Sequence, residues 1–271
     1  MSEKPVSEKI VELEIRDGVA WVTMNRPKAL NALNREMTDA LVDTINPLEH
    51  DPDVRCVVVR GGAHFMAGGD LKTFHAMLDR SRADNLVAFE AFIHQVHSLI
   101  IAIRRMPKPV IASVNGACAG FGLSFMCAAD LTIAADDSYY TLAYTLIGTS
   151  PDGGSTYALP RLVGLKKATE LALLGDRFDA ATAKDYGLLN WVVPAADLAA
   201  ETGKLAARLA AGPTVAYGRT KALLQRSLDN PLERQLQLEA ENFSACAVEP
   251  DFAEGVGAFV EKRKPEFSGK A

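Results

Sequence analysis

The chain has 271 residues, of which 48% are apolar and 23% are charged, so it can bury the core of one large α/β domain or of a domain with a small appendage. A formal net charge of −5 and a pI near 5.6 provide no cationic field, which argues against nucleic acid or an anionic membrane as the main partner. No stretch approaches the roughly 20 apolar residues of a membrane span. The N-terminus lacks the apolar core of a secretory signal, so we expect a cytoplasmic protein.

The four cysteines predict neither a disulfide framework nor a zinc site. Cys56, Cys118, Cys127 and Cys246 are far apart and form no C-x-x-C pair or Cys/His cluster. We interpret them as core thiols in a reducing compartment and expect no metal centre.

Predicted strands and helices alternate in the first part of the chain. In order, the pattern predicts a strand at 19–24, a helix at about 31–48, a strand at 54–60, a helix at 85–105, a strand at 109–114, a buried helix at 119–129 and short strands at 131–134 and 139–142. The recurring order of strand, crossover and strand predicts a parallel sheet with right-handed connections.

Beyond Pro160 the pattern is mainly helical. The predicted helices span residues 166–174, 180–186, 198–211, 214–228 and 231–246. We therefore divide the chain into a core at 1–197 and a helical C-terminal part at 198–271.

Two glycine-containing loops each follow a predicted buried strand. They span residues 65–71 and 115–122, at the carboxyl ends of strands, where open α/β sheets bind their ligands. Small residues allow close approach of a substrate, and a loop that enters a helix presents free N–H groups to an oxygen. Each loop alone could be only a tight turn, but the pair could form an oxyanion hole. Dinucleotide, nucleotide and serine-hydrolase motifs are absent from the sequence.

Five segments carry a resemblance to a known family. They are Asn25–Leu33 (NRPKALNAL), Phe65–Leu71 (FMAGGDL), Pro109–Gly116 (PVIASVNG), Ala128–Asp130 (AAD) and Gly255–Lys264 (GVGAFVEKRK). In this order they are similar to the signatures of the crotonase (enoyl-CoA hydratase/isomerase) family, and the resemblance extends from about residue 11 to 269. It implies an α/β fold, a crotonase spiral of ββα units with a helical C-terminal trimerisation part, assembled as a homotrimer or a dimer of trimers.

The resemblance also implies a binding site for an acyl-CoA thioester. The oxyanion donors would be the backbone N–H groups of Gly69 and Phe121, and the Phe121 side chain would narrow the acyl pocket. CoA would enter as part of the substrate, with no metal or redox cofactor. The residues implied to lie along CoA are Lys28, Ala29, Ala67, Gly69, Asp70 and Lys72, with Phe259 and Lys262 reaching the nucleotide of a neighbouring subunit.

The choice of reaction depends on the acid/base residues. Hydratases of the family are implied to use two glutamates, but the aligned positions hold Ser124 and Tyr144, which cannot replace a carboxylate base. Asp152, which local sequence would make a turn or N-cap residue, resembles the catalytic carboxylate of phenylacetate-pathway and dienoyl-CoA isomerases. One carboxylate suffices to move a double bond, so we predict an enoyl-CoA isomerase.

Three alternatives stay open at this point. Chlorobenzoyl-CoA dehalogenase is similar in having a nucleophilic Asp at the position of Asp152, a His at that of His97 and an aromatic residue at that of Tyr144. His97 could equally be a surface or packing residue paired with His94 at i, i+3, and a metal there would lack a third ligand. The chain could also be an enoyl-CoA hydratase or a non-catalytic acyl-CoA binding subunit. His50, His64 and His75 are interpreted as surface residues.

Overall fold

A six-stranded sheet forms the centre of the computed structural model, which describes residues 9–270. Its strands are β1 (Val11–Arg16), β2 (Val19–Met24), β3 (Cys56–Gly61), β4 (Val110–Val114), β6 (Leu131–Ala135) and β9 (Trp191–Val193), in that order across the sheet. β1 and β2 form an antiparallel hairpin and every other pair is parallel. The predicted parallel sheet is therefore confirmed, with an antiparallel edge.

A second, smaller sheet lies where the chain leaves the main one. Its strands are β5 (Ala117–Ala119), β7 (Tyr139–Thr141) and β8 (Phe178–Asp179), in that order. β5 follows β4 after two residues, so a single run of chain passes from one sheet to the other. This passage places residues 115–122 at the junction of the two sheets.

Ten α-helices accompany the sheets within residues 9–270. They are α1 (Arg35–Ile45), α2 (Leu71–Met77), α3 (Arg82–Arg105), α4 (Phe121–Ala128), α5 (Ser155–Leu174), α6 (Ala180–Asp185), α7 (Leu198–Ala210), α8 (Thr214–Arg226), α9 (Leu232–Ala247) and α10 (Pro250–Glu261). The helical C-terminal part is confirmed.

The main sheet is covered on both faces, which explains its continuous apolar strands. Helices α1, α3 and α4 bury one face, with Val57 and Val59 of β3 at its centre. Helix α7 covers the other face through Leu198 and Ala206. The hydroxyls of Ser113 and Thr202 hydrogen-bond at 2.8 Å across that contact. The first helix of the predicted C-terminal part is thus packed on the central sheet.

Several boundaries differ from the sequence prediction. α1 begins at Arg35 rather than near Asn31, because Leu30 and Asn31 adopt positive φ angles and Asn34 caps the helix by accepting from Met37 N. α5 begins at Ser155 and passes through Pro160, with its break at Gly164 (φ 76°). Six elements were not predicted from the sequence: β1, α2, β5, β8, β9 and α10.

α3 is long and apolar enough, by length and composition, to cross a membrane. The sequence prediction that no stretch approaches this limit was wrong for α3. The buried side of α3, which includes Phe92, Val96 and Leu99, packs into the core beside α1 and α4. The apolar character of α3 is therefore accounted for in part by the interior of the protein.

Candidate active site

The two predicted glycine loops meet at the junction of the sheets. Met66 pairs with Cys118 as a parallel bridge, and Ala119 N donates to Met66 O at 2.9 Å. The backbones of Gly68 and Gly120 are in contact, since a Cβ on Gly68 would lie 3.2 Å from Ala119 O and one on Gly120 would lie 3.4 Å from Gly68 Cα. Both glycines also have positive φ angles, of 93° and 50°. Side chains at these positions would force the loops apart.

The N–H groups of Gly69 and Phe121 donate no hydrogen bond within residues 9–270. Phe121 is the first residue of α4, where an N–H has no partner in its own helix. The left-handed step of this turn falls on Gly120, so Phe121 keeps helical geometry. Two unengaged donors on touching loops are what an oxyanion hole requires.

Arg26 and Asp70 hold the first loop in place. Arg26 Nη2 lies 3.0 Å from Asp70 Oδ2, and both side chains are mostly shielded from solvent. Asp70 Oδ1 also caps α2 by accepting from the N–H groups of Lys72 and Thr73. Burial raises the pKa of Asp70, but the hydrogen bonds from Arg26 and the helix outweigh it and keep this pKa below its usual range. Asp70 is therefore an anchor of the loop that carries Gly69.

The predicted CoA-contacting residues fall into two groups. Lys28 and Lys72 are exposed on neighbouring segments, which are joined by backbone hydrogen bonds from Ala67 N to Leu30 O and from Leu33 N to Gly68 O. Ala29 lies on the segment of Lys28, and Ala67 and Gly69 lie on the segment that leads to Lys72. The structure therefore brings these residues together.

Phe259 and Lys262 lie at the end of α10 instead. Phe259 is 85% exposed and borders a cavity of about 460 Å³ that Phe252 and Phe267 also line. α10 packs on α9.

Asp152 lies in a small polar cluster with Tyr144 and Ser124. The Tyr144 hydroxyl donates a hydrogen bond to Asp152 Oδ1 and lies 3.2 Å from Ser124 Oγ. Ser124 Oγ in turn donates to the main-chain oxygen of Asp152 at 2.9 Å. Ser124 and Tyr144 are buried, and Asp152 is partly buried. The structure thus places Ser124 and Tyr144, the positions where hydratases are implied to have glutamates, in one hydrogen-bonded cluster with Asp152.

The turn after Asp152 packs directly on the start of α4, at the second glycine loop. Gly153 (φ 60°) and Gly154 (φ 76°) are both left-handed. A Cβ on Gly153 would lie 2.8 Å from the ring of Phe121 and from Ser124 Cβ. The Phe121 ring is 3% exposed and stacks on Phe125. The Phe121 ring therefore lies directly against the Asp152 turn.

The electrostatic surroundings favour a protonatable Asp152. Burial raises the pKa of this carboxyl, while the Tyr144 hydrogen bond lowers it by less. Burial and the adjacent carboxylate also raise the pKa of the Tyr144 phenol above its usual range, so Tyr144 stays a donor. A carboxylate whose pKa is raised is a stronger base than an exposed one.

His97 contacts the Asp152 turn, and His94 does not share this role. His97 Nε2 accepts a hydrogen bond from Gly153 N at 3.3 Å. The side chain of His94 is 74% exposed, and its nearest charged neighbour is Glu90 at 3.8 Å. Among residues 9–270 no group of three His, Cys, Asp or Glu side chains could hold a metal.

Sequence reasoning misplaced one histidine and missed two contacts. His64 was interpreted as a surface residue, but it is half-buried and its Nδ1 accepts from Ala117 N at 3.0 Å, next to the second loop. The pairing of Arg26 with Asp70 and the bond from Gly153 to His97 were also missed. They join residues 44 and 56 positions apart, beyond the reach of local pattern.

The sequence matches a known family along nearly all of its length. Residues 14–270 match the profile described as enoyl-CoA hydratase/isomerase. The chain belongs to this family. The crotonase fold predicted from the sequence is confirmed by solved structures: the chain superposes on an enoyl-CoA hydratase from Polaromonas sp. JS666 with a TM-score of 0.89 and 34% identity, covering 95% of this chain and 99% of that one.

Relatives within the family are named for different reactions. The chain is 35% identical over 257 residues to 1,2-epoxyphenylacetyl-CoA isomerase from Escherichia coli (strain K12), covering 94% of this chain and 97% of that protein. It is 32% identical over 257 residues to 4-chlorobenzoyl coenzyme A dehalogenase-2 from Arthrobacter sp, covering 94% and 92%. Membership makes the chain an acyl-CoA enzyme of the hydratase/isomerase family and leaves the reaction to be argued from the site.

Proposed function

We propose that the protein is an enoyl-CoA isomerase that moves a double bond with one carboxylate, Asp152, through a thioester enolate. The observation that carries this proposal is the cluster around Asp152: one partly buried carboxyl stands next to the oxyanion loops, and its neighbours Tyr144 and Ser124 are neutral hydroxyls. Hydration requires removal of a proton from water and delivery of a proton to carbon, whereas isomerisation needs one group that takes a proton and returns it.

The proposed reaction proceeds through proton transfer on one face of the substrate. Asp152 takes a proton from C2 of a 3-enoyl thioester, and the electron pair moves onto the thioester oxygen. The N–H groups of Gly69 and Phe121 stabilise that oxyanion, and one such donor is typically worth about 10²–10³ in rate. Asp152 then returns the proton to C4, which leaves the 2-enoyl thioester. Because Tyr144 engages Oδ1, Oδ2 is the oxygen that carries the proton.

The proposal includes a CoA site on the first loop and an oligomer. Lys28 and Lys72 would provide local positive charge for the phosphates of CoA, which the acidic protein as a whole does not supply. A homotrimer or a dimer of trimers is supported by the exposed apolar side chains of Phe243 on α9 and of Phe259 and Val260 on α10. Light scattering coupled to size exclusion tests the oligomer, and a monomer of 29.1 kDa would contradict it.

An aryl-CoA dehalogenase is the second candidate, and the proximity of His97 to Asp152 favours it. In that reaction the Asp152 carboxylate attacks the ring carbon that bears the halogen, halide leaves, and water activated by His97 hydrolyses the aryl ester. His97 Nε2, however, already accepts from Gly153 N, so it is not free to activate water. This contact is the reason for preferring isomerisation.

The deciding experiment offers 2-enoyl, 3-enoyl and 4-halobenzoyl-CoA thioesters to the enzyme in deuterated buffer and identifies the products by mass. We expect migration of the double bond that requires Asp152, with no release of halide. Release of halide would instead establish the dehalogenase, and addition of water would establish a hydratase. Tight binding of the thioesters without turnover would identify an acyl-CoA binding subunit.

A further inference from the structure

The peptide group between Asp152 and Gly153 is hydrogen-bonded at both of its polar atoms. The Asp152 oxygen accepts from Ser124 Oγ at 2.9 Å and from Ser155 Oγ at 3.1 Å. On the other side, Gly153 N donates to His97 Nε2 at 3.3 Å. Rotation of this peptide plane would break bonds on both sides, and the plane sets the direction in which the Asp152 side chain leaves the backbone.

The turn leads directly into α5, since Asp152 O also accepts from Ser155 N at 3.3 Å and Gly154 O accepts from Tyr157 N and Ala158 N. Gly153 and Gly154 are consecutive left-handed residues, and glycine loses more conformational entropy on ordering than any other residue. Neither glycine carries a side chain that could anchor it. In residues 9–270 His97 is the acceptor for the Gly153 N–H. The turn is therefore held by the start of α5, by Ser124 of α4 and, at the Gly153 N–H, by His97 of α3.

Helix α3 presents His97 from a rigid position. The neighbouring Val96 is fully buried and Ile100 is 7% exposed, so the segment is fixed in the core. Ile100 Cγ2 would lie 3.8 Å from a Cβ on Gly154, which shows that α3 runs along the turn. His97 is itself half-buried. His97 is therefore carried by a helix segment that is packed in the core next to the turn.

The bond from Gly153 N requires Nε2 of His97 to be unprotonated. A ring nitrogen that accepts from an N–H carries no proton, so a positioning role for His97 predicts the tautomer with its proton on Nδ1. Its Nε2 lone pair is already engaged. A histidine in this state cannot use Nε2 to activate water without releasing the Gly153 turn.

We infer that His97 is a positioning residue, which holds the Gly153 N–H through Nε2 and so aims the Asp152 carboxylate at the substrate. This inference rests on the proposed function for its effect on rate, but the bond and the tautomer that it requires do not depend on which reaction the enzyme catalyses.

The kinetic test compares two substitutions that differ in one property. His97→Gln keeps an acceptor, because the Gln carbonyl oxygen reaches about as far as Nε2, but an amide cannot act as a base. His97→Leu removes the acceptor. We expect His97→Gln to retain kcat within a few-fold, and His97→Leu to lose about 10²-fold in kcat with little change in KM, because a small misplacement of a catalytic group has an effect of that size. His94→Leu, on the exposed side of the same helix, is the control and should match the wild type.

The kinetics of the His97 variants and the NMR of the histidine rings distinguish a positioning residue from a base. Equal large losses in both His97 variants would indicate a base and overturn the positioning role, and so would wild-type kcat in both. Nitrogen-15 NMR of the histidine rings provides a readout that needs no turnover. A proton on Nδ1 of His97, with the Nε2 shift of an unprotonated nitrogen that accepts a hydrogen bond, supports the inference. A proton on Nε2 would overturn it even if isomerase activity is found, whereas absence of isomerisation with the expected tautomer would count against the proposed function alone.

Discussion

Asp130 and Asp152 are both partly buried carboxylates, and they differ in the charge of the groups that they touch. Asp130 Oδ2 accepts from the ammonium of Lys221 at 2.7 Å and from Val110 N at 2.8 Å. Asp152 Oδ1 accepts from the neutral phenol of Tyr144. Burial raises the pKa of both carboxyls, so both positions disfavour the charged form.

Their places in the fold match this difference. Asp130 lies at the amino ends of β4 and β6, where its bond to Lys221 ties helix α8 to the sheet. Asp152 lies beside the loops that follow the carboxyl ends of strands, the side on which α/β sheets bind ligands. A carboxylate paired with a cation holds elements together, and one with neutral partners can exchange its proton. The charge of the partner, more than burial, therefore distinguishes the structural carboxylate from the candidate catalytic one.

The largest expected effect comes from exchanging each carboxylate for its amide. Asp152→Asn should lower kcat for isomerisation by about 10²–10⁴-fold, the usual contribution of a general acid/base, while the protein stays folded. Asp130→Asn is the matched change and should leave kcat per folded molecule unaltered while lowering stability. Steady-state kinetics and circular dichroism on both variants test the contrast. An Asp152→Asn enzyme with wild-type kcat would refute the assignment of the base.

Removal of the cation from the structural pair should produce the next effect. Lys221→Met leaves the Asp130 charge without its partner, and breaking a buried pair in this way costs about 3–5 kcal/mol of unfolding free energy. Chemical denaturation measures this loss. The double variant Lys221→Met/Asp130→Asn should recover part of the stability, because the unpaired charge is gone. A loss below about 1 kcal/mol for Lys221→Met, as for an exposed pair, would show that the pair is solvated in solution.

A smaller effect is expected at the phenol next to Asp152. The Tyr144 hydrogen bond lowers the pKa of this carboxyl, so Tyr144→Phe should raise that pKa and move the acidic limb of the kcat/KM profile to higher pH. At mildly acidic pH activity should then fall about tenfold, the equivalent of one hydrogen bond to a charged group, and recover towards neutral pH. Tyr157→Phe, at a tyrosine that contacts Asp229 on the surface, is the control. An acidic limb that stays in place would place the titrating group elsewhere.

The sequence predicted the parts of this site that depend on local pattern. Buried strands followed by glycine loops predicted where Gly69 and Phe121 would lie, because sheet topology brings the carboxyl ends of parallel strands together. The resemblance suggested that Asp152 should be compared with Ser124 and Tyr144, and the fold joins all three.

Contacts between distant segments could not be predicted in the same way. The bond between His97 and Gly153 depends on how α3 lies along the turn after Asp152, which no periodicity encodes. The same holds for Lys221, which reads as one more lysine on a helical pattern, although it reaches Asp130 across 91 residues. His64 was misjudged for this reason too, since its partner Ala117 lies in another strand.

The smallest expected effect concerns stability and follows from the raised pKa of Asp152. The folded protein binds the Asp152 proton more tightly than the unfolded chain, so this residue supports folding most at low pH. That support is lost as pH rises from the ordinary carboxyl pKa through the raised one, and the wild type carries the cost of a poorly solvated charge at neutral pH.

Asp152→Asn avoids this cost and keeps an acceptor for Tyr144. Its Tm should exceed that of the wild type at pH 7, by about 2–4 °C for each kcal/mol gained, and the difference should shrink towards pH 4. Asp130→Asn should change Tm in the opposite direction at pH 7, because it deprives Lys221 of its counter-charge. A lower Tm for Asp152→Asn at pH 7 would mean that the Asp152 charge is stabilised in the fold, and would remove the contrast between the two carboxylates.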